Sequence, residues 1–288
     1  MVNSSYLKCL FSCFLLTFFL SSPAVSSSAT DVIKIPKLSF LPVLDGLHEE
    51  WGGFTGIKLH KSHSEVMVSP ITVEVSAGHR DGYVFIAMRW PDDTQDTRHS
   101  PYVWNDERGR YVASDLKEDR VALQFAMDGD YTPNWLSGNE FVADMWHWKS
   151  ARSNPLGLAH DKMTIVTRNK MTRSFKAIAD DGKPIYIRRP SDSGDKIYDT
   201  KRYGLKQSKS MPKYVMNYGA EGSVVDVKAR SRWRDGFWYL ELKRAMSTGH
   251  NDDVEFVSGT SVLGGLAVFN RSSNDNHVIS NLLRFDIE

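Results

Sequence analysis

Two side chains in this 288-residue chain are candidate donors to a metal, the Met127 thioether and the Lys243 amine. Each sits near the end of a run whose alternate residues are apolar or aromatic: Val121, Leu123 and Phe125 before Met127, and Trp238, Leu240 and Leu242 before Lys243. A thioether is a soft neutral ligand and a deprotonated amine a good nitrogen ligand, so the two could hold a haem iron from opposite faces. Burial lowers a lysine pKa and the metal takes up the lone pair, which makes the neutral amine accessible. A methionine ligand favours reduced iron, and such a site would be a redox relay. The plainer reading is that Met127 fills the core and Lys243 reaches for solvent. Spacing does not choose between the two.

The densest chemistry lies in Asp144-Met145-Trp146-His147-Trp148-Lys149. His147 could replace lysine as an axial ligand, or hydrogen-bond in the core or to a propionate. His79, His160 and His250 stand beside turn residues and read as solvated, while Arg120, Arg152 and Arg244 suit either propionates or surface salt bridges. Asp92-Asp93 and Asp252-Asp253 are adjacent pairs, which suits solvated turns or oxygen ligation of calcium better than acid/base work. No Ser-His-Asp context, HExxH, phosphate-binding glycine loop or cysteine zinc site occurs, so the chain does not read as an enzyme of its own.

Lys8, the apolar run Cys9 to Leu20 and the small residues of SSPAVSSSAT have the order of a secretory signal peptide. The expected organisation is therefore a leader over residues 1–29 and one domain over 30–288, exported to the periplasm, with no membrane span after cleavage. Both cysteines, Cys9 and Cys13, fall in the leader, which excludes disulfides, thiolate metal sites and covalent haem attachment in the mature chain. Loss of Lys8 leaves basic and acidic residues balanced, so bulk charge supplies no case for nucleic acid or anionic membrane.

What must position these residues is β structure. Ile71 to Ala77 and Tyr83 to Trp90 alternate around Arg80-Asp81-Gly82, and Val224 to Trp233 and Phe237 to Arg244 alternate around Arg234-Asp235-Gly236, giving two hairpins. Val121 to Met127, Gly264 to Asn270 and Val278 to Ile287 add strands, and Leu44-Asp45-Gly46 is a turn with Trp51 capping the core. Leu156 to Met163 could be a short helix. Residues 91–117 and 162–222 read as polar excursions, the second a solvated face or a docking surface, with short strands possible at Thr164 to Arg168 and Ile185 to Ile187. With about ten to twelve strands, the fold class is all-β, a single β-sandwich of immunoglobulin-like or family 9 carbohydrate-binding-module-like form.

Three segments, Glu118 to Met127, Asp144 to Lys149 and Trp238 to Met246, resemble the haem-binding γ subunits of ethylbenzene dehydrogenase and related complexes, among them dimethyl sulfide dehydrogenase, selenate and chlorate reductases and nitrite oxidoreductase. Leu44-Asp45-Gly46 with Trp51, and Gly265 to Phe269, are similar to the same family, and the likeness runs over residues 38–287. The resemblance implies a β-sandwich holding one non-covalent haem b through Met127 and Lys243. It also implies a molybdopterin catalytic subunit and an iron–sulfur subunit as partners, with a soluble c-type cytochrome as outside partner. Ala126 and Ala245 stand where the family pattern has proline, and Lys228 is the alternative second ligand. A different class is also open: a carbohydrate-binding module without haem, gripping sugar between aromatics such as Trp104 and Trp135.

Overall fold

The computed structural model describes residues 30–61, 69–273 and 277–288; the leader with Cys9 and Cys13 lies outside them. Among the described residues nineteen strands follow one another. The first seven are β1 (Asp31–Ile35), β2 (Thr55–Lys61), β3 (Ile71–Arg80), β4 (Tyr83–Pro91), β5 (Tyr102–Asn105), β6 (Arg110–Ala113) and β7 (Arg120–Gly129). The middle of the chain gives β8 (Phe141–Lys149), β9 (His160–Thr167), β10 (Phe175–Ile178), β11 (Pro184–Arg188), β12 (Tyr198–Thr200), β13 (Ser210–Met211) and β14 (Tyr214–Met216). The last are β15 (Lys228–Arg234), β16 (Phe237–Ala245), β17 (Ser261–Phe269), β18 (Val278–Ser280) and β19 (Leu283–Ile287). No helix among the described residues is long and apolar enough to cross a membrane.

The main sheet runs β10-β11-β9-β8-β7-β17-β18-β2-β3-β4-β16-β15, with β19 also on β17 and β1 parallel to β19. It folds over into a β-sandwich. Trp148 of β8 lies 6.0 Å from Trp90 of β4 and 5.0 Å from Trp238 of β16, strands far apart in that order. Leu123, Phe125 and Trp146 face Val75, Ile86, Leu240 and Leu242 in one apolar layer, the dominant favourable contribution to the fold.

Both anticipated hairpins form, β3–β4 and β15–β16, and Asp81 and Asp235 take the left-handed backbone their Asp-Gly turns require. The Leu44-Asp45-Gly46 turn is tied down by Glu241 of β16. This carboxylate accepts from the amides of Asp45 and Gly46 at 2.7 Å each and from the Trp51 indole at 3.0 Å. Gly46 has φ +76° and packs against the Arg232 backbone, so a side chain there would be doubly unfavourable.

Four expectations are corrected. The strand count exceeds ten to twelve, chiefly because short polar strands pair with one another. Leu156 to Met163 is not a helix: a 3-10 turn at Asn154–Leu156 ends at Gly157 and β9 begins at His160, because β8 offers it a free edge. Val278 to Ile287 is two strands, which serve β2 and β17 separately. The polar stretch 162–222 is also more than a solvated face. Its first half extends the main sheet through β9, β11 and β10, and β13 pairs with β5, joining it to the 91–117 excursion.

Candidate functional site

Strand β7 is buried on both faces, and its outer face carries the site. Val121, Leu123 and Phe125 point into the sandwich, leaving Ala122 and Gln124 outward. In register, Ala122 lies between His147 of β8 and Ala267 of β17, and Gln124 between Met145 and Gly265. Two rows across three strands thus form a floor in which three of six side chains are alanine or glycine. Tyr131 Oη and Pro133 come so close to Gly265 that a Cβ there would meet them at 2.6 and 2.9 Å. The 133–136 loop, Phe175 and Ala177 of β10, Ile187, Arg189, Phe269, His277 and Ile279 complete a mainly apolar cavity of about 280 Å³.

Its polar groups are unequally engaged. Gln124 donates to Thr164 Oγ1 at 2.7 Å and accepts from Trp135 Nε1 at 3.0 Å, and the Thr164 hydroxyl contacts the Met145 sulfur at 3.7 Å. His147, 5% exposed, is different: its Nε2 has no hydrogen-bond partner. Its ring stacks at 6.0 Å on Phe269, which stacks at 4.5 Å on His277 and lies under the Arg120 guanidinium. Burial, reinforced by Lys149 and Arg120, holds the imidazole well below its ordinary range. The ring is neutral at neutral pH, with a lone pair available to a metal. An orphaned buried nitrogen is costly unless something binds it.

The structure does not bring Met127 and Lys243 together. Met127 falls at a bulge in β7 and packs against the inter-sheet core. Lys243 belongs to the opposite parity of β16 from Leu240 and Leu242, and its Nζ lies 4.0 Å from the centre of the Tyr83 ring on the outer face. Met127 and Lys243 therefore lie against different layers, the one on the inter-sheet core and the other on the Tyr83 side of β16. Neither lines the cavity, and Lys228 is exposed and donates to Val225 O at 2.8 Å.

Arg244 is likewise not a propionate partner. It is wholly buried, its guanidinium paired with Asp144 and Asp253. Arg152 is held by Glu118 and Arg120 donates to Ser272 O at 2.8 Å. His160 is not solvated either: Nδ1 lies 2.7 Å from Lys149 Nζ and Nε2 2.8 Å from Ser191 Oγ. Lys149, overlooked in the sequence, is a buried amine held well below its ordinary pKa by desolvation and then Arg152. Its parity with Met145 and His147 placed it on this face; its Nζ meets His160 Nδ1 and donates to the Tyr198 hydroxyl at 3.3 Å. Trp104 and Trp135 are both half-buried, and Trp135 belongs to the cavity wall.

Nor are the adjacent acids simply solvated, since Asp92 and Asp253 are buried. Burial, then Asp119, Asp96 and Asp93, pushes the Asp92 carboxyl up from 3.8 to about 7. A folded-state pKa above the unfolded value means stability fully present below 3.8 and lost as pH rises through about 7. Thermal melts from about pH 5 to about pH 8 should fall by several degrees more in the wild type than in Asp92→Asn; equal slopes would refute the assignment.

The model of the family described as ethylbenzene dehydrogenase matches residues 54–280. Among solved structures, a family 9 carbohydrate-binding module from Caldicellulosiruptor kristjanssonii in complex with glucose is similar at 10% identity and TM-score 0.38, covering 90% of this chain and 97% of that one. A putative carbohydrate-binding protein from Bacteroides uniformis is similar at 10% identity and TM-score 0.42, covering 90% and 100%. No curated protein matches the sequence. With most of its length inside one family model, the chain belongs to the ethylbenzene dehydrogenase family.

Proposed function

We propose that this chain is a periplasmic electron-transfer subunit. It binds one non-covalent haem b in the cavity over β7, β8 and β17, with His147 as a nitrogen donor to the iron. It stands beside a molybdopterin catalytic subunit and an iron–sulfur subunit, passes electrons to or from an external cytochrome, and is not catalytic alone. Family membership supports the setting. The observation that carries the cofactor reading is the neutral, buried His147 with an unpartnered Nε2 on an apolar wall.

The residues fit the group. Ala122 and Ala267 present only methyl groups to the cavity, Phe269 and Ile279 supply apolar contact, and Arg189 is the cation of the wall suited to a carboxylate. When bound, a haem supplies a one-electron couple. The chain supplies the imidazole, an apolar lining that excludes water, and a rigid sheet that fixes the donor.

The test is an ultraviolet-visible spectrum of the purified protein, oxidised and dithionite-reduced. The wild type should show a b-type Soret band that His147→Ala abolishes or shifts, while Met127→Ala and Lys243→Ala leave it in place. Disturbance by the latter two and not by His147→Ala would overturn the ligand assignment. No Soret band after haem reconstitution would overturn the cofactor, and glucose binding that depends on Trp135 would then favour the carbohydrate reading.

A further inference from the structure

A second cluster lies on the inner side of β8 and β9, away from the cavity. Asp144 of β8, Asp161 of β9 and Asp253 of the loop after β16 each place a carboxylate oxygen within 4.8 Å of the others, and all three are buried. Asp192, after β11, is buried beside them, with its carboxyl against that of Asp161. The protein neutralises these four with one guanidinium, Arg244, whose Nη1 reaches Asp144 Oδ2 at 2.5 Å and Asp253 Oδ1 at 3.1 Å. His250 Nδ1 lies 3.7 Å from Asp253 Oδ2, and Lys162 is turned to the Arg189 carbonyl at 2.9 Å.

Acidity alone would not make this a site. The independent observation is Asp161, with no exposed surface, whose carboxyl oxygens meet only the carboxyl groups of Asp144 and Asp192 and no N–H or hydroxyl donor. Both oxygens of Asp192 and Oδ1 of Asp144 are also without one. By contrast Asp144 Oδ2 accepts from Val254 N at 3.2 Å and Asp253 Oδ2 from Thr248 at 2.6 Å. The unsatisfied oxygens are those not turned towards a protein donor. Burying so many lone pairs with nothing to meet them is costly unless a cation does so.

We propose that Asp144, Asp161, Asp192 and Asp253 bind a divalent cation of the hard, oxygen-preferring class, with Ca2+ the best match. The donor set is oxygen only, without thiolate or thioether, which disfavours soft transition metals. Carboxylates from four separate segments form an irregular arrangement, which Ca2+ tolerates and the octahedral demand of Mg2+ does not. Burial and then the neighbouring carboxyls hold Asp161 and Asp192 above the usual carboxylate range, and a bound dication would favour their ionised form; four carboxylates, Arg244 and the ion then sum to one net negative charge. The ion would staple β8 and β9 to the segments after β11 and β16, so its role is structural and independent of the haem reading.

The experiment uses the whole purified protein, stripped with EDTA and then dialysed against CaCl2 or kept metal-free. Calcium should raise the Tm by about 5 °C or more at saturating concentration, and metal analysis should find one calcium per chain. Asp161→Asn removes a buried charge while keeping shape, so it should fold, melt at or above the metal-free wild type, and lose both the shift and the calcium. Asp192→Asn should weaken binding at least tenfold, a second readout should Asp161→Asn fail to fold. An unmoved wild-type Tm with no bound calcium would overturn the proposal, as would a full shift in both variants.

Discussion

Arg244→Ala should destabilise the metal-free protein by about 3–5 kcal/mol, the cost of removing one partner from a buried ion pair. The guanidinium has no exposed surface, pairs with Asp144 and Asp253, donates through Nη2 to the Val254 carbonyl, and packs 5.1 Å from the Trp146 ring centre and 5.3 Å from that of Phe256. Truncation leaves four carboxylates without their cation and opens space beside two rings. Arg244→Lys keeps the charge but loses the fork and the stacking, and should recover less than half of the loss. Urea unfolding in EDTA, followed by tryptophan fluorescence, measures both. If the Soret band weakened while the urea midpoint stayed put, Arg244 would be a cofactor contact and the buried-pair account would fall.

Glu241→Ala should cost about 3 kcal/mol, because three buried or half-buried donors lose one acceptor. The carboxylate is 1% exposed and holds the amides of Asp45 and Gly46 and the indole of Trp51. Without it the turn has no anchor on β16, and Trp51 loses the bond that seats it over Phe85 and Ala87. Glu241→Gln retains one carbonyl oxygen but turns an NH2 towards donors, so an intermediate loss is expected. Thermal melts measure the loss, and limited proteolysis between about Leu41 and Glu50 should accelerate in Glu241→Ala. Unchanged melting and cleavage would show that water replaces the carboxylate without penalty.

Alternation made the sandwich readable. Strands such as β4, β7 and β16 carry apolar residues at every second position, and Asp-Gly turns mark two of the hairpins. The same alternation separates the two candidate donors: if Trp238, Leu240 and Leu242 face inward, Lys243 must face outward, whereas Met127 continues the inward row until the bulge. His147 is a candidate already in the sequence, but its setting is not legible there, because the floor takes Ala267 from a strand far along the chain. The buried charges were hidden for a similar reason. Asp92, Asp253 and His160 look like turn residues locally, and only tertiary partners such as Asn270, Arg244 and Lys149 reveal them as interior. Polar strands β9 and β13 carry weak apolar periodicity and are recruited by open sheet edges.

The pairing of β1 with β19, in which Asp31 meets Leu283 and Ile35 meets Ile287, has a consequence for the order of assembly. The earliest strand finds its hydrogen-bond partner only in the last, a contact of nearly maximal sequence separation, and such contacts close slowly. Until β19 emerges and docks on β17, both β1 and β17 present open edges able to template pairing with another chain. A nascent chain is therefore at its most aggregation-prone just before the five-residue strand β19 is in place.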